Sequence, residues 1–203
     1  MPDTGIAPQD PPRMAELLDV AARLFDEKGY RATSLNDLGE ALGMNKASLY
    51  YYVRSKEELL SRVIYRASQR LRDLADAIIG DAGNPRDALR RLVETHCHTL
   101  LDHPHEFGTV IYQRRHIDAD TLPQIAGRER AYFEAVRGLI LRGIRTGAFR
   151  RMDDGIAAQL TLDAINGVLR WYRADGRKSR DAAIAEIVRF VEAALTARPA
   201  EKP

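Results

Sequence analysis

Apolar residues recur at helical spacing along this chain, and nowhere do they alternate in the two-residue rhythm of a half-buried strand. That regularity restricts the fold to packed helices, because a stripe repeating every three and four residues buries one side of a helix. Leu17, Leu18, Ala21, Leu24 and Phe25 make the first stripe, which stops at Gly29. Leu35, Leu38, Ala41 and Leu42 make the second, with Thr33 or Ser34 placed to cap it and Gly43 to end it. Asn45 is placed to cap a short third helix over about Lys46 to Tyr52. After Ser55, Leu60, Val63, Ile64, Ala67, Leu71, Leu74 and Ile78 line a long fourth helix that runs to near Gly80.

The remainder reads the same way. A fifth helix carries Leu89, Leu92, Val93, His96 and Leu100 and breaks at His103-Pro104. A sixth covers about Phe107 to His116, and Pro123 opens a seventh that reaches Gly147. The eighth runs from about Asp153, a plausible cap, to Arg173 and is apolar over most of its circumference, which predicts burial on several sides. The ninth covers about Arg180 to Ala197. The predicted class is all-α, with about nine helices.

With 203 residues, 45% of them hydrophobic, the chain can build a sizeable core and is not disordered throughout. No apolar run approaches the roughly 18 residues of a membrane helix, so no membrane partner is expected. The opening MPDTGIAPQDPPR has four prolines and no apolar core, so it does not read as a secretory signal. Cys97 is the single cysteine, which excludes an internal disulfide framework and fits a cytoplasmic protein.

The formal net charge is only +2, but it is unevenly spread. From Lys28 to Arg72 nine basic residues face four acids, an excess of five, which suggests an anionic partner at one end of the molecule. Within that stretch, TSLNDLGEALGMNKASLYYYVRSK places two short helices around Gly43-Met44-Asn45. This is a helix-turn-helix, whose second helix can enter the major groove of DNA, about 12 Å wide. Lys46, Ala47 and Ser48 at its leading end are small or donor-bearing, so the backbone can approach base edges. Tyr50, Tyr51 and Tyr52 offer hydroxyls to phosphates, and Lys56 adds charge at the next helix N-terminus, itself favourable for a phosphate.

The first helix (LLDVAARLFDEKGYRATS), the central LGEALGM and the run SLYYYVRSKEELL together resemble the DNA-binding head of TetR/AcrR transcriptional regulators over about residues 14 to 62. The resemblance implies a homodimeric repressor that binds a palindromic DNA operator and is released by a small-molecule effector. It implies that Tyr50 and Lys56 bind phosphates, that Lys46, Ala47, Ser48, Tyr51 and Tyr52 approach bases or backbone, and that Ser34 and Asn36 lie at the DNA. Gly39 stands where the family usually has Ala, a cost of about 1 kcal/mol in helix propensity. Tyr52 stands where His or another polar aromatic is common. The domains expected are a flexible arm over 1–12, a helix-turn-helix head over 13–56, a ligand-binding and dimerisation domain over 57–198 with the fourth helix as connector, and a tail over 199–203.

In the larger part, Gln159, Asp163, Asn166 and Arg170 form a polar stripe on the eighth helix, suited to lining a pocket or pairing across a dimer. Ile184, Ile187, Val188, Val191 and Leu195 on the ninth suit a four-helix dimer interface. The runs HEFGTVIYQRR, RERAYF and LRWYRADG loosely resemble regulators that respond to acyl-CoA thioesters from lipid or steroid breakdown. That resemblance implies Arg114, Arg115, Arg128, Arg170 and Trp171 for the phosphates and adenine of a CoA, and Phe107, Tyr112 and Tyr132 for its apolar part.

A rival effector is a metal ion. His96, His98, His103, His105 and His116 fall within 21 residues beside Cys97, although no pair has the i, i+4 spacing of a helix-borne site. No cofactor is expected. An all-α enzyme is the rival class, but the chain has no G-x-S-x-G, phosphate-binding loop or H-E-x-x-H, and a protein-interaction module would leave the basic helix-turn-helix unexplained.

Overall fold

A computed structural model of the chain describes residues 12–80, 83–117 and 122–196. Its helices are α1 (Pro12–Glu27), α2 (Leu35–Leu42), α3 (Lys46–Tyr52), α4 (Lys56–Gly80), α5 (Pro85–Asp102), α6 (Pro104–Gln113), α7 (Leu122–Arg145), α8 (Asp154–Asn166), α9 (Val168–Trp171) and α10 (Arg180–Leu195). A 3-10 turn, Arg114–His116, follows α6. Among the described residues the one extended pairing is a bridge between Phe149 and Thr196, so the class is all-α as expected. No described helix is long and apolar enough to cross a membrane. The arm expected over 1–12 lies outside the described residues except for Pro12, which opens α1, and the tail over 199–203 lies outside them entirely.

There are ten helices among the described residues because the expected eighth is two. Gly167 ends α8, and Arg170 N donates to Gly167 O at 3.0 Å, a tighter i+3 turn from which α9 restarts. Nor is α8 buried on several sides. Ala157, Ala158, Thr161, Leu162 and Ile165 are covered, while Ile156 and Leu160 are 62% and 64% exposed.

The chain divides into two compact units. One contains Met1–Ala67 together with His105–Leu122; the other contains Ser68–Pro104 and Pro123–Pro203. The first half of α4, and α6 from His105 onward, thus group with the head, although the expected boundary between residues 56 and 57 separates them from it. The reason is a set of contacts distant in sequence. Thr109 Oγ1 donates to Ala22 O at 3.1 Å, and His105 Nδ1 lies 3.0 Å from Asp26 Oδ2. Arg66 Nη2 bridges Asp19 at 2.5 Å and the buried Glu106 at 2.8 Å. Around these the core is Leu17, Leu18, Phe25, Leu38, Leu49, Leu59 and Leu60, all essentially inaccessible.

In the second unit α10 packs on α5 and α8. Ile184, Ile187, Val188, Val191 and Leu195 are buried in this packing within a single chain, so the stripe expected to face a partner forms part of the unit's own core. An apolar stripe in a sequence reports burial without saying whether the cover is the same chain or another. On these two helices the outward apolar side chains are Phe190 on α10, 67% exposed, with Ile156 and Leu160 on α8.

Candidate nucleic-acid interface

The local chemistry of the first unit explains why α2 and α3 meet at a fixed turn. Ser34 caps α2: its hydroxyl accepts from Asp37 N at 3.1 Å, and the Asp37 carboxylate accepts from Ser34 N at 2.7 Å, a reciprocal capping box. The side-chain and then the backbone bonds from Ser34 lower the Asp37 pKa to about 2. At the other end Gly43 adopts φ 60 and ψ 30, a left-handed conformation, and its N–H bonds back into α2. Met44 N donates to Gly39 O at 2.8 Å, and a Cβ on Gly39 would lie 2.8 Å from Met44 O. Gly39 therefore permits the close turn, where composition alone counts it as a loss of helix propensity. Asn45 then caps α3, its Oδ1 accepting from Ser48 N at 2.8 Å.

Leu38, Leu42, Leu49 and Val53 hold the two helices on the core. That leaves Asn36, Ala47 and Tyr50 exposed, Tyr51 84% exposed, and Ser48 and Tyr52 half-buried. Tyr51 and Tyr52 form an edge-to-face pair with centroids 5.4 Å apart, which limits the freedom of both rings. Lys46 opens α3, and its side chain lies outside the described residues.

Two expected contacts have further duties. Ser34 commits its hydroxyl to the cap. Lys56 Nζ donates to Tyr30 O at 2.9 Å and to Thr33 O at 2.8 Å, so two of its three protons tie the loop before α2 to the start of α4. Tyr30 itself donates its hydroxyl to Glu57 at 2.8 Å, and burial followed by that carboxylate raises its pKa far above the ordinary value. Sequence reading counts Arg31 and Glu57 only as charges and passes over Tyr30; the one signal available is that Tyr30 sits directly after a helix terminator.

The residues expected to bind an effector fall in both units. Phe107, Tyr112, Arg114 and Arg115 belong to the first unit, while Arg128, Tyr132, Gln159, Asp163, Asn166, Arg170 and Trp171 belong to the second. Phe107 is buried, and Tyr132 is buried with its hydroxyl 2.8 Å from His96 Nδ1, so both serve as core. Burial pushes His96 down to about 3 and Cys97 up to about 12, which keeps the imidazole and the thiol neutral. Arg128 donates to Ser68 Oγ at 3.3 Å. The polar stripe on α8 faces solvent, with Gln159 Nε2 donating to Asp163 Oδ1 at 3.1 Å, and Trp171 is 51% exposed. The five histidines are likewise divided between the units, and among the described residues no group of three or more His, Cys, Asp or Glu side chains could hold a metal ion.

A capped two-helix reading element, a basic flank and a separate helical body define a class of proteins, the helix-turn-helix regulators. Residues 17–63 match the family described as bacterial regulatory proteins, tetR family, and residues 82–195 match the tetracyclin repressor-like C-terminal domain. The chain belongs to the TetR family of transcriptional regulators and is not an enzyme. Among curated proteins it is similar to the HTH-type transcriptional repressor KstR2 of Rhodococcus jostii, 29% identical over 183 residues, which are 88% of this chain and 89% of that one. Its fold is that of the ketosteroid transcriptional regulator KstR2 of Mycobacterium tuberculosis, with TM-score 0.85 and 24% identity over 96% of this chain and 100% of that one. It is also the fold of AibR, solved with isovaleryl coenzyme A and operator DNA, with TM-score 0.79 and 22% identity over 88% and 97% of the two chains.

Proposed function

We propose that this chain is a cytoplasmic repressor that binds a palindromic operator as a homodimer and leaves it when an acyl-CoA thioester from lipid or steroid catabolism binds. The observation that carries the reading is the outward surface of α3: Ala47, Tyr50 and Tyr51 are exposed on a helix fixed at both ends by caps, with basic residues on either side. A helix of seven residues reads too few bases to be specific alone, so two copies at half-sites about one helical turn apart are required. Phe190, Ile156 and Leu160 supply an apolar face for that pairing, each contributing roughly 1.5 to 3 kcal/mol if fully covered.

The effector class is supported by the CoA complex of AibR, by the ketosteroid regulator and by the sequence likeness. Arg170 and Trp171, exposed on α9, and Arg128 on α7 are our candidates for its phosphates and adenine. The effector acts only through its difference in affinity for two states of the protein, and moving a 1:99 balance to 99:1 takes about 5.5 kcal/mol. Because α4 runs through both units, a tilt of α4 is the route by which that difference reaches α3.

Thermal-shift screening against CoA thioesters, with zinc as control, paired with gel shifts on DNA upstream of the coding sequence, tests the whole reading. Stabilisation by a thioester that also dissolves the shifted complex is expected. Stabilisation by zinc and by no thioester would contradict the effector class, and a monomer at micromolar concentration would contradict the operator model.

A further inference from the structure

The head carries a basic cluster that the helix-turn-helix does not use. Side chains from three separate segments meet at Tyr30. Lys56 Nζ stands 4.4 Å from its ring centroid, and the His116 imidazole stacks on it with centroids 5.0 Å apart and planes inclined by 26°. Arg115 Nε donates to His116 Nε2 at 3.3 Å, and Arg31 follows Tyr30 in the chain; both arginines are exposed. Glu57 faces the same tyrosine, but it accepts the Tyr30 hydroxyl. Asp118 and Asp120 follow in the sequence and lie outside the described residues. Burial, and then the charges of Arg115, Arg31 and Lys56, lower the His116 pKa.

We propose that Arg31, Arg115 and His116 form an auxiliary site for a backbone phosphate of duplex DNA, outside the helix-turn-helix. The proposal rests on the reading of α2 and α3 as the DNA-binding element. The cluster adjoins that element through Lys56, whose amine holds Thr33 O, one residue before the α2 cap. Two exposed guanidinium forks suit phosphate oxygens, and such contacts fix register without reading sequence. In the free protein Arg115 donates to His116, so Nε2 is an acceptor and the ring is neutral. A phosphate oxygen taking the Arg115 donor leaves Nε2 free to accept a proton, and the imidazolium becomes a further donor to the anion. DNA binding therefore takes up a proton.

The test uses the full chain and a mixed-sequence duplex of about 30 base pairs, with binding followed by fluorescence anisotropy across a salt series. Replacing both Arg31 and Arg115 by Ala should lower the slope of log K against log salt by about 0.9, the contribution of the one phosphate contact they make. The melting temperature should stay at the wild-type value, because both side chains are exposed. His116→Phe keeps a ring on Tyr30 but cannot take up a proton. Wild-type affinity should rise several-fold from about pH 8 to about pH 6, and this variant should lose that rise. A double variant with the wild-type slope overturns the proposal while leaving the helix-turn-helix reading intact. A wild type without salt-dependent DNA binding overturns both. A double variant that keeps the DNA slope but loses stabilisation by a CoA thioester assigns the cluster to the effector and also overturns the proposal.

Discussion

Helices α3 and α8 both turn polar side chains outward, and they differ in what holds those side chains. In α3 the Asn45 cap, the Gly43 turn and the buried Leu49 and Val53 fix the backbone, so Ala47 and Tyr51 point outward from a rigid base. In α8 Gln159 bonds to Asp163 on the same helix, and Gly167 ends the helix before Arg170 can join the stripe. Both backbones are capped and anchored by buried side chains, so the difference lies in the outward groups: Gln159 and Asp163 satisfy each other along α8, whereas Tyr51 stands 84% exposed on α3. Polar spacing alone does not separate these two cases.

The contrast can be broken or sharpened by mutation. The largest effect belongs to Arg66→Ala. It removes the Arg66 half of the pair with the buried Glu106 in the first unit, so the loss should be about 3 kcal/mol in urea denaturation. Lys178→Ala, which removes an exposed pair with Glu186 in the second unit, should cost less than about 0.5 kcal/mol. Equal losses would show that burial does not set the Arg66–Glu106 pair apart from an exposed one.

Next comes pH. His96 is held at about 3 in the folded second unit, against an ordinary value of 6.5. The unfolded chain gains a proton as pH falls below about 6.5 while the folded state does not, so this contribution is complete above 6.5 and is lost towards 3, by up to about 1.4 kcal/mol per pH unit. Asp37 in the head is lowered to about 2 from 3.8, so its contribution is present above 3.8 and is lost only as pH falls towards 2. Unfolding monitored at a series of pH values should therefore show a slope between about pH 6 and pH 4 that His96→Gln flattens. An unchanged slope in that variant would contradict the neutral buried imidazole.

Removing caps gives a smaller, equal loss with unequal consequences. Asn45→Ala and Asp153→Ala should each cost about 1 kcal/mol, since each side chain caps its helix through one backbone N–H. Only the first should also weaken DNA binding in a gel shift. Smallest of all is Gly39→Ala. Helix propensity alone promises about 1 kcal/mol of gain, but the added Cβ meets Met44 O at 2.8 Å. No rise in melting temperature is expected, and a clear rise would show that the turn has room.

Sequence reading served local and long-range features unequally for a physical reason. The caps at Ser34, Asn45 and Asp153, the terminators Gly29 and Gly43 and the core positions Leu38, Leu42, Leu49 and Val53 act within four or so residues of one another, and all lie where spacing predicts. The stack of Lys56, Tyr30 and His116 draws on three segments up to 86 positions apart and leaves no local pattern. The same holds for α6, whose attachment to α1 through Ala22 and Asp26 is invisible in its own sequence. The α10 stripe is legible as an apolar face, but its cover, α5 and α8 of the same chain, is a tertiary fact.

The account stands on α3 as the element that meets DNA. Ala47 is exposed at its leading end, so Ala47→Glu places a negative charge there without disturbing the core. Binding to DNA from upstream of the coding sequence should fall by at least about tenfold, 1.4 kcal/mol, at an unchanged melting temperature. A variant that binds that DNA as tightly as the wild type would contradict the account.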